Sequence, residues 1–151
     1  MDSQRFLEPG DEVPGFSART LSDPNLSVDF ANGSKTVLLV FQPQCPACEI
    51  AVPYWLEIAA AGKRDKYQVF GITLGDAPKT AAFLASSGLD VETFVDLNAE
   101  MKRAYKLNLT PLTVVIDNAG KVEKIWPGAF NRETKPDVER YFGISVADDM
   151  K

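Results

Sequence analysis

Two apolar, β-branched runs separated by one helix-length amphipathic stretch constrain this chain more than any other feature. The first, Thr36-Val37-Leu38-Leu39-Val40-Phe41, is continuous enough to be a strand buried on both faces. The second, Tyr67-Gln68-Val69-Phe70-Gly71-Ile72-Thr73-Leu74, repeats that character. Between them Gln42-Pro43-Gln44 interrupts the first run, and Pro46 suits a first helical turn, where its missing N–H would have no intrahelical partner. Cys48, Val52, Trp55, Leu56 and Ala59 then recur at helical spacing, which predicts a buried stripe that ends at Ala59-Ala60-Ala61-Gly62. Pro53, inside that helix, predicts a kink. A second helix opens at Asp76 and Pro78, runs to about Ser87 and stops at Gly88. Strand, helix, strand, helix in this order implies a parallel pair joined by a crossover helix, with ligands met at the carboxyl ends of the strands.

The flanks add antiparallel elements. Residues 9–15 form a turn-rich entry, and segments 16–21 and 26–30, separated by Ser22-Asp23-Pro24-Asn25, predict a small leading hairpin before Asn32-Gly33. Downstream, 93–95 is a short strand candidate, and Asp96 or Asn98 caps a helix through Leu107. After Thr110-Pro111, residues 112–116, the turn Asp117-Asn118-Ala119-Gly120 and residues 121–126 predict an antiparallel hairpin closed by Pro127-Gly128. Thr134, Pro136 and Asp137 start a last helix with Val138, Tyr141 and Phe142 as its buried stripe, and a frayed tail is expected beyond Ile144. With 45% hydrophobic and 25% charged residues in 151, one domain over 1–151 with its core at about 9–142 is expected. Trp55, Tyr105, Trp126 and Phe130 are expected in that core rather than along a groove.

Cys45 and Cys48 are the only cysteines, three apart, at the junction of the first strand and its helix. On the helical wheel Cys48 faces the core and Cys45 stands at the exposed tip. The free N–H groups and positive dipole end of a helix start stabilise an anion, which makes Cys45 the candidate nucleophile. Cys48, one turn further in, is placed to attack a mixed disulfide on Cys45 and release the partner. A closed intrachain zinc site is excluded, because two cysteines and no histidine cannot supply four ligands. A structural disulfide across three residues would constrain the unfolded chain little. A redox-active dithiol is therefore the leading reading, with Cu(I) held between two thiolates left open.

A formal net charge of −5 argues against generic affinity for nucleic acid or for an anionic membrane. No run of some 18 apolar residues exists, and Met1-Asp2-Ser3-Gln4-Arg5 lacks the apolar segment of a signal peptide. One oxidisable pair fits a periplasmic or extracytoplasmic protein, with an anchor in its full-length form, and fits a cytoplasmic dithiol equally. A monomer is expected.

With the dithiol, the strand–helix–strand half, the Thr110-Pro111 step and the closing hairpin and helix in view, the sequence resembles the thioredoxin superfamily, and within it the TlpA/ResA-like thiol:disulfide oxidoreductase (redoxin) branch. That branch has a leading segment like residues 10–16, a strand–helix insertion like residues 75–96 and a proline like Pro53. The likeness covers roughly residues 9–142. It implies an α/β, thioredoxin-like three-layer fold with a central mixed sheet, flanking helices, an N-terminal β-hairpin and the strand–helix insertion. It also implies disulfide exchange with protein thiols and disulfides and with a redox partner protein, with no cofactor beyond the dithiol. The proline matching Pro111 is cis in that family, beside the dithiol, and the residue matching Thr110 offers backbone hydrogen bonds to an incoming peptide.

Several positions depart from the pattern. Thioredoxins place a buried Asp where Leu39 stands, and ResA-like reductases often use a Glu where Ala51 stands. Glu49 is expected to be a solvated surface carboxylate. Gln44 replaces the tryptophan common before the first cysteine, and Pro46 with Ala47 between the cysteines resembles some oxidising members and the methylamine-dehydrogenase maturation relatives. Gln44, Pro46 and Ala47 are therefore expected to tune the pair. A peroxiredoxin is the weaker enzymatic alternative, since neither cysteine has the proline seven residues before it. A non-catalytic thiol-binding module, such as a metallochaperone or assembly factor, is the alternative outside enzymes.

Overall fold

In chain order the elements are β1 (Phe16–Ala18), β2 (Leu26–Val28), β3 (Thr36–Phe41), α1 (Pro46–Asp65), β4 (Gln68–Thr73), α2 (Ala77–Ser87), β5 (Glu92–Phe94), α3 (Ala99–Ala104), β6 (Leu112–Ile116), β7 (Val122–Pro127) and α4 (Lys135–Phe142). The computed structural model describes residues 5–31 and 33–147. The amino-terminal run 1–4, Asn32 of the expected turn and residues 148–151 of the expected tail lie outside the described residues.

β3 is buried at every position, as its unbroken apolar run requires of a central strand. It lies in a five-stranded mixed sheet of order β5-β4-β3-β6-β7. β4 pairs with it in parallel and β6 antiparallel. Alternation then divides its side chains between two cores. Val37, Leu39 and Phe41 pack with Trp55 and Ile58 of α1, Phe83 of α2, and Val138 and Phe142 of α4. Leu38 and Val40 pack with Phe94, with Met101 of α3, with Tyr105 and with Val28 of the leading hairpin. Each large apolar side chain fully buried in this way contributes roughly 1.5–3 kcal/mol. The result is a thioredoxin-like three-layer α/β arrangement, with the β1–β2 hairpin as a separate two-stranded sheet. Among the described residues no helix is long and apolar enough to cross a membrane.

Capping confirms several predicted boundaries. Asp76 accepts the Lys79 N–H at 2.8 Å, Gly88 takes the left-handed conformation that stops α2, and Asn98 rather than Asp96 caps α3. Other boundaries differ from expectation. α1 continues a turn beyond 59–62, through Gly62 to Asp65, and ends at a left-handed Lys66. Gly62 is a packing residue, not a stop: a Cβ there would lie 2.7 Å from Val69 Cγ2. Pro53 lies inside the helix, as its position in the sequence predicts, and the buried stripe includes Cys48, Ala51, Val52, Trp55 and Ile58. Leu56, expected inside, is exposed, and Ala59 is half-buried. α3 stops at Ala104, because Lys106 turns left-handed at φ 50.

The leading hairpin is shorter than 16–21 and 26–30. After Ala18 the chain leaves it and lies along β5, with Leu21 N–H donating to Thr93 C=O at 3.1 Å and Val95 N–H to Arg19 C=O at 2.9 Å. This covers an otherwise open sheet edge. Nor is the chain frayed directly after Ile144: Val146 is buried, its N–H donates to Glu139 at 2.8 Å and its C=O accepts from Lys135 Nζ at 2.7 Å. Tyr141 is half-buried, because its hydroxyl reaches out to Glu123 and Lys35.

Candidate active site

The carboxyl end of β3 delivers the two cysteines. Phe41 is the last residue of the strand, and the chain turns through Gln42-Pro43-Gln44, with Gln44 left-handed at φ 61. Cys45 is extended and caps α1: its Sγ accepts the Cys48 N–H at 3.2 Å and its C=O accepts the Glu49 N–H at 3.1 Å. A sulfur at this position is held by one of the free donors of the helix start. Pro46 occupies the first turn as its chemistry predicts. Cys45 is half-buried rather than fully exposed, while Cys48 is completely buried.

Antiparallel pairing of β6 on β3, with Val40 opposite Leu112, brings the start of β6 to the end of β3. Thr110 and Pro111, 65 residues after Cys45 in the case of Thr110, thus arrive beside the dithiol. The Thr110–Pro111 bond is cis, and Thr110 Oγ1 lies 4.0 Å from Cys45 Sγ. The Pro111 C=O accepts the Gly128 N–H at 2.7 Å, which ties this loop to the end of β7. Gly75, at the head of the insertion, lies under the cysteine loop: a Cβ there would fall 2.5 Å from Pro43 Cδ. Sequence reasoning missed this support, since nothing local to Gly75 signals a contact with Pro43.

The floor of the site is apolar. Leu39 and Ala51 are both fully buried, and Glu49 is exposed to solvent. Burial pushes the Cys48 thiol up from 9.0 to about 12, and its contact with the Cys45 sulfur adds to the rise. The Gln42 backbone and the Thr110 hydroxyl act in the opposite direction, and no carboxylate is among the groups that shift it. Behind it Trp55 Nε1 donates to Thr113 Oγ1 at 2.9 Å, a buried bond between α1 and β6 that spacing alone did not reveal. Trp55, Tyr105, Trp126 and Phe130 are all buried, as expected of core residues. A cleft of about 360 Å³ lined by Ser34, Lys35, Tyr67 and Tyr141 sits at the amino end of β3, the opposite pole from Cys45. Among the described residues, no three His, Cys, Asp or Glu side chains are grouped to hold a metal ion.

This arrangement can perform thiol–disulfide exchange: an accessible sulfur at a helix start, a buried sulfur one turn behind, and a cis-proline loop against both. The family model described as Redoxin matches residues 8–142. Thiol-disulfide oxidoreductase ResA of Geobacillus kaustophilus is 26% identical over 134 residues, covering 87% of this chain and 75% of that protein. Methylamine utilization protein MauD of Methylophilus methylotrophus is 28% identical over 115 residues, covering 75% of this chain and 53% of MauD. In fold, a putative thiol:disulfide interchange protein DsbE from Chlorobium tepidum superposes with a TM-score of 0.75 at 22% identity, over 91% of this chain and 97% of that one.

Proposed function

This chain belongs to the Redoxin family and is a thiol-disulfide oxidoreductase, and we propose that it exchanges disulfides with protein substrates, with Cys45 as the attacking sulfur and Cys48 as the resolving one. In the reducing direction the Cys45 thiolate attacks one sulfur of a partner disulfide. The partner S–S bond breaks, a Cys45–partner disulfide forms, and the leaving thiolate takes up a proton. Cys48 then loses its proton and attacks Cys45 Sγ, closing the intrachain disulfide and releasing the second partner thiol. The partner gains two electrons and two protons and the dithiol loses them; the oxidising direction is the reverse, and no further cofactor takes part.

The observation that carries this reading is the asymmetry of the two sulfurs. Cys45 Sγ is half-buried and receives the Cys48 N–H, while the Cys48 thiol is fully buried and held protonated. An incoming peptide would lie against Thr110 and Pro111; because the Pro111 C=O is already used by Gly128, the backbone of Thr110 is left to bind it. Gln44, Pro46 and Ala47, the sequence neighbours of the two sulfurs, tune the pair in this reading. We assign the protein to an extracytoplasmic compartment, as a monomer acting with a second redox protein.

Insulin, a protein with accessible disulfides, provides the test. Cys48→Ser should accumulate a mixed disulfide with it that runs as a covalent adduct without reductant, and Cys45→Ser should form none. An adduct of equal yield on Cys45→Ser, or none on a folded Cys48→Ser, refutes the assignment. Titration of the pair against glutathione then gives the direction of electron flow: a potential near about −270 mV marks a reductant and one near about −120 mV an oxidant.

A further inference from the structure

Two large apolar side chains are exposed among the described residues, Ile50 at 57% and Leu56 at 38%, and both belong to α1. Helical spacing aligns Ile50 with Pro46 and Pro53, which are also exposed, on the side of α1 opposite the buried stripe of Cys48, Trp55 and Ile58. Leu56 flanks this line. None of the four contributes to the core, and Pro53 costs the helix a backbone donor. The line begins at the residue next to Cys45 and runs about 15 Å along the helix from Pro46 to Leu56. Two exposed carboxylates, Glu49 and Glu57, border it. Apolar side chains gathered on one helix face beside a reactive sulfur and bordered by charge offer a surface that a second protein can cover.

The occupant follows from position. Any protein that exchanges with Cys45 must bring its own sulfur to the amino end of α1, so its surface continues over the line that starts there. We propose that the outer face of α1, formed by Pro46, Ile50, Pro53 and Leu56 with Glu49 and Glu57 at its rim, docks the exchanging protein through a complementary surface that is apolar and bordered by lysine or arginine. This extends the oxidoreductase reading, on which it rests, from the chemistry of the sulfurs to the kind of surface that reaches them. The rim carboxylates act through charge complementarity, which raises encounter rates and falls with salt.

The test uses two ten-residue peptides, each with one cysteine activated as a thionitrobenzoate mixed disulfide; one carries leucines and lysines around the cysteine and the other serines and glutamates. Exchange with Cys48→Ser is followed by colour release, with the corresponding glutathione mixed disulfide as a small control. The parent should prefer the leucine–lysine peptide by about fivefold or more, and the added pair Ile50→Ser and Leu56→Ser should abolish that preference while the glutathione rate stays within about twofold. Being exposed, both substitutions leave the fold intact. No preference in the parent, or a preference that survives both substitutions, overturns the proposal. Concentration-dependent dimerisation of the parent that Ile50→Ser removes also overturns it, by giving the face to a second copy of the chain. Failure of all three probes to react with Cys45 strikes the oxidoreductase reading itself, a result the preference measurement cannot mimic.

Discussion

Raising the pH on the reduced protein tests the most consequential property of the site, the protonated state of Cys48. Its thiol is pushed from 9.0 to about 12, chiefly by burial and next by the adjacent Cys45 sulfur. Three pH units lower the thiolate fraction at a given pH by about a thousandfold and correspond to about 4 kcal/mol between the two protonation states. Because the folded protein holds this proton more tightly than the unfolded chain does, the stabilisation is fully present below pH 9.0 and drains away as pH rises towards about 12. Denaturant melts between pH 8 and 11 should therefore show reduced wild type losing stability with a slope that Cys48→Ala lacks. The comparison between the two cancels the tyrosines that ionise in the same range. In parallel, isotope-labelled cysteine followed by NMR should show Cys48 still protonated at pH 10. The Cys45→Ser variant keeps the burial but loses the neighbouring sulfur, so its Cys48 midpoint should fall partway towards 9.0. In a Cys45 mixed disulfide the burial that raises the Cys48 thiol remains, so release should quicken as pH rises between 6 and 9, by up to about tenfold per unit while the thiol stays protonated. A Cys48 midpoint at or below 9.0, or a pH-independent release rate, would refute the reasoning.

Three further outcomes follow from packing and charge. Trp55→Phe removes the buried bond to Thr113 and should cost about 2–4 kcal/mol in urea melts, whereas Trp55→Phe with Thr113→Val should cost less than the sum of the single changes, because no buried partner is then left unpaired. Gly62→Ala should destabilise by about 1–3 kcal/mol despite the better helix propensity of alanine, since its Cβ meets Val69 Cγ2 at 2.7 Å and the Tyr67 C=O at 3.2 Å; a gain in melting temperature would show that Val69 yields freely. Asp137 is held below its ordinary 3.8 by Lys124 first and by the Trp126 N–H, so it stabilises the fold above that pH and loses the effect as pH falls. Acid unfolding of Asp137→Asn should accordingly be flatter than that of wild type, and identical acid limbs would dismiss the carboxylate's role.

What the sequence by itself determined lies within a few residues' reach. The capping of α2 by Asp76 and Gly88, the Asp117–Gly120 turn and the central burial of β3 all depend on local hydrogen bonds or on periodicity. The same holds for Cys45 and Cys48, whose spacing sets one at the helix cap and one in the first turn. Tertiary structure alone decided how that pair is surrounded. Thr110 comes within 4.0 Å of Cys45 only because β6 runs antiparallel to β3, and Gly62 has no room for a side chain because Val69 and Tyr67 lie against it. Residues 19–21 leave the hairpin because β5 offers them backbone partners, and Leu56 faces water because α1 rests on the sheet by its Cys48–Trp55 stripe. A cap or a turn is a contest between short-range conformations that a handful of residues can settle. The environment of a buried sulfur is instead a sum over side chains distant in sequence, and each acquires its place only when the whole sheet has closed upon it.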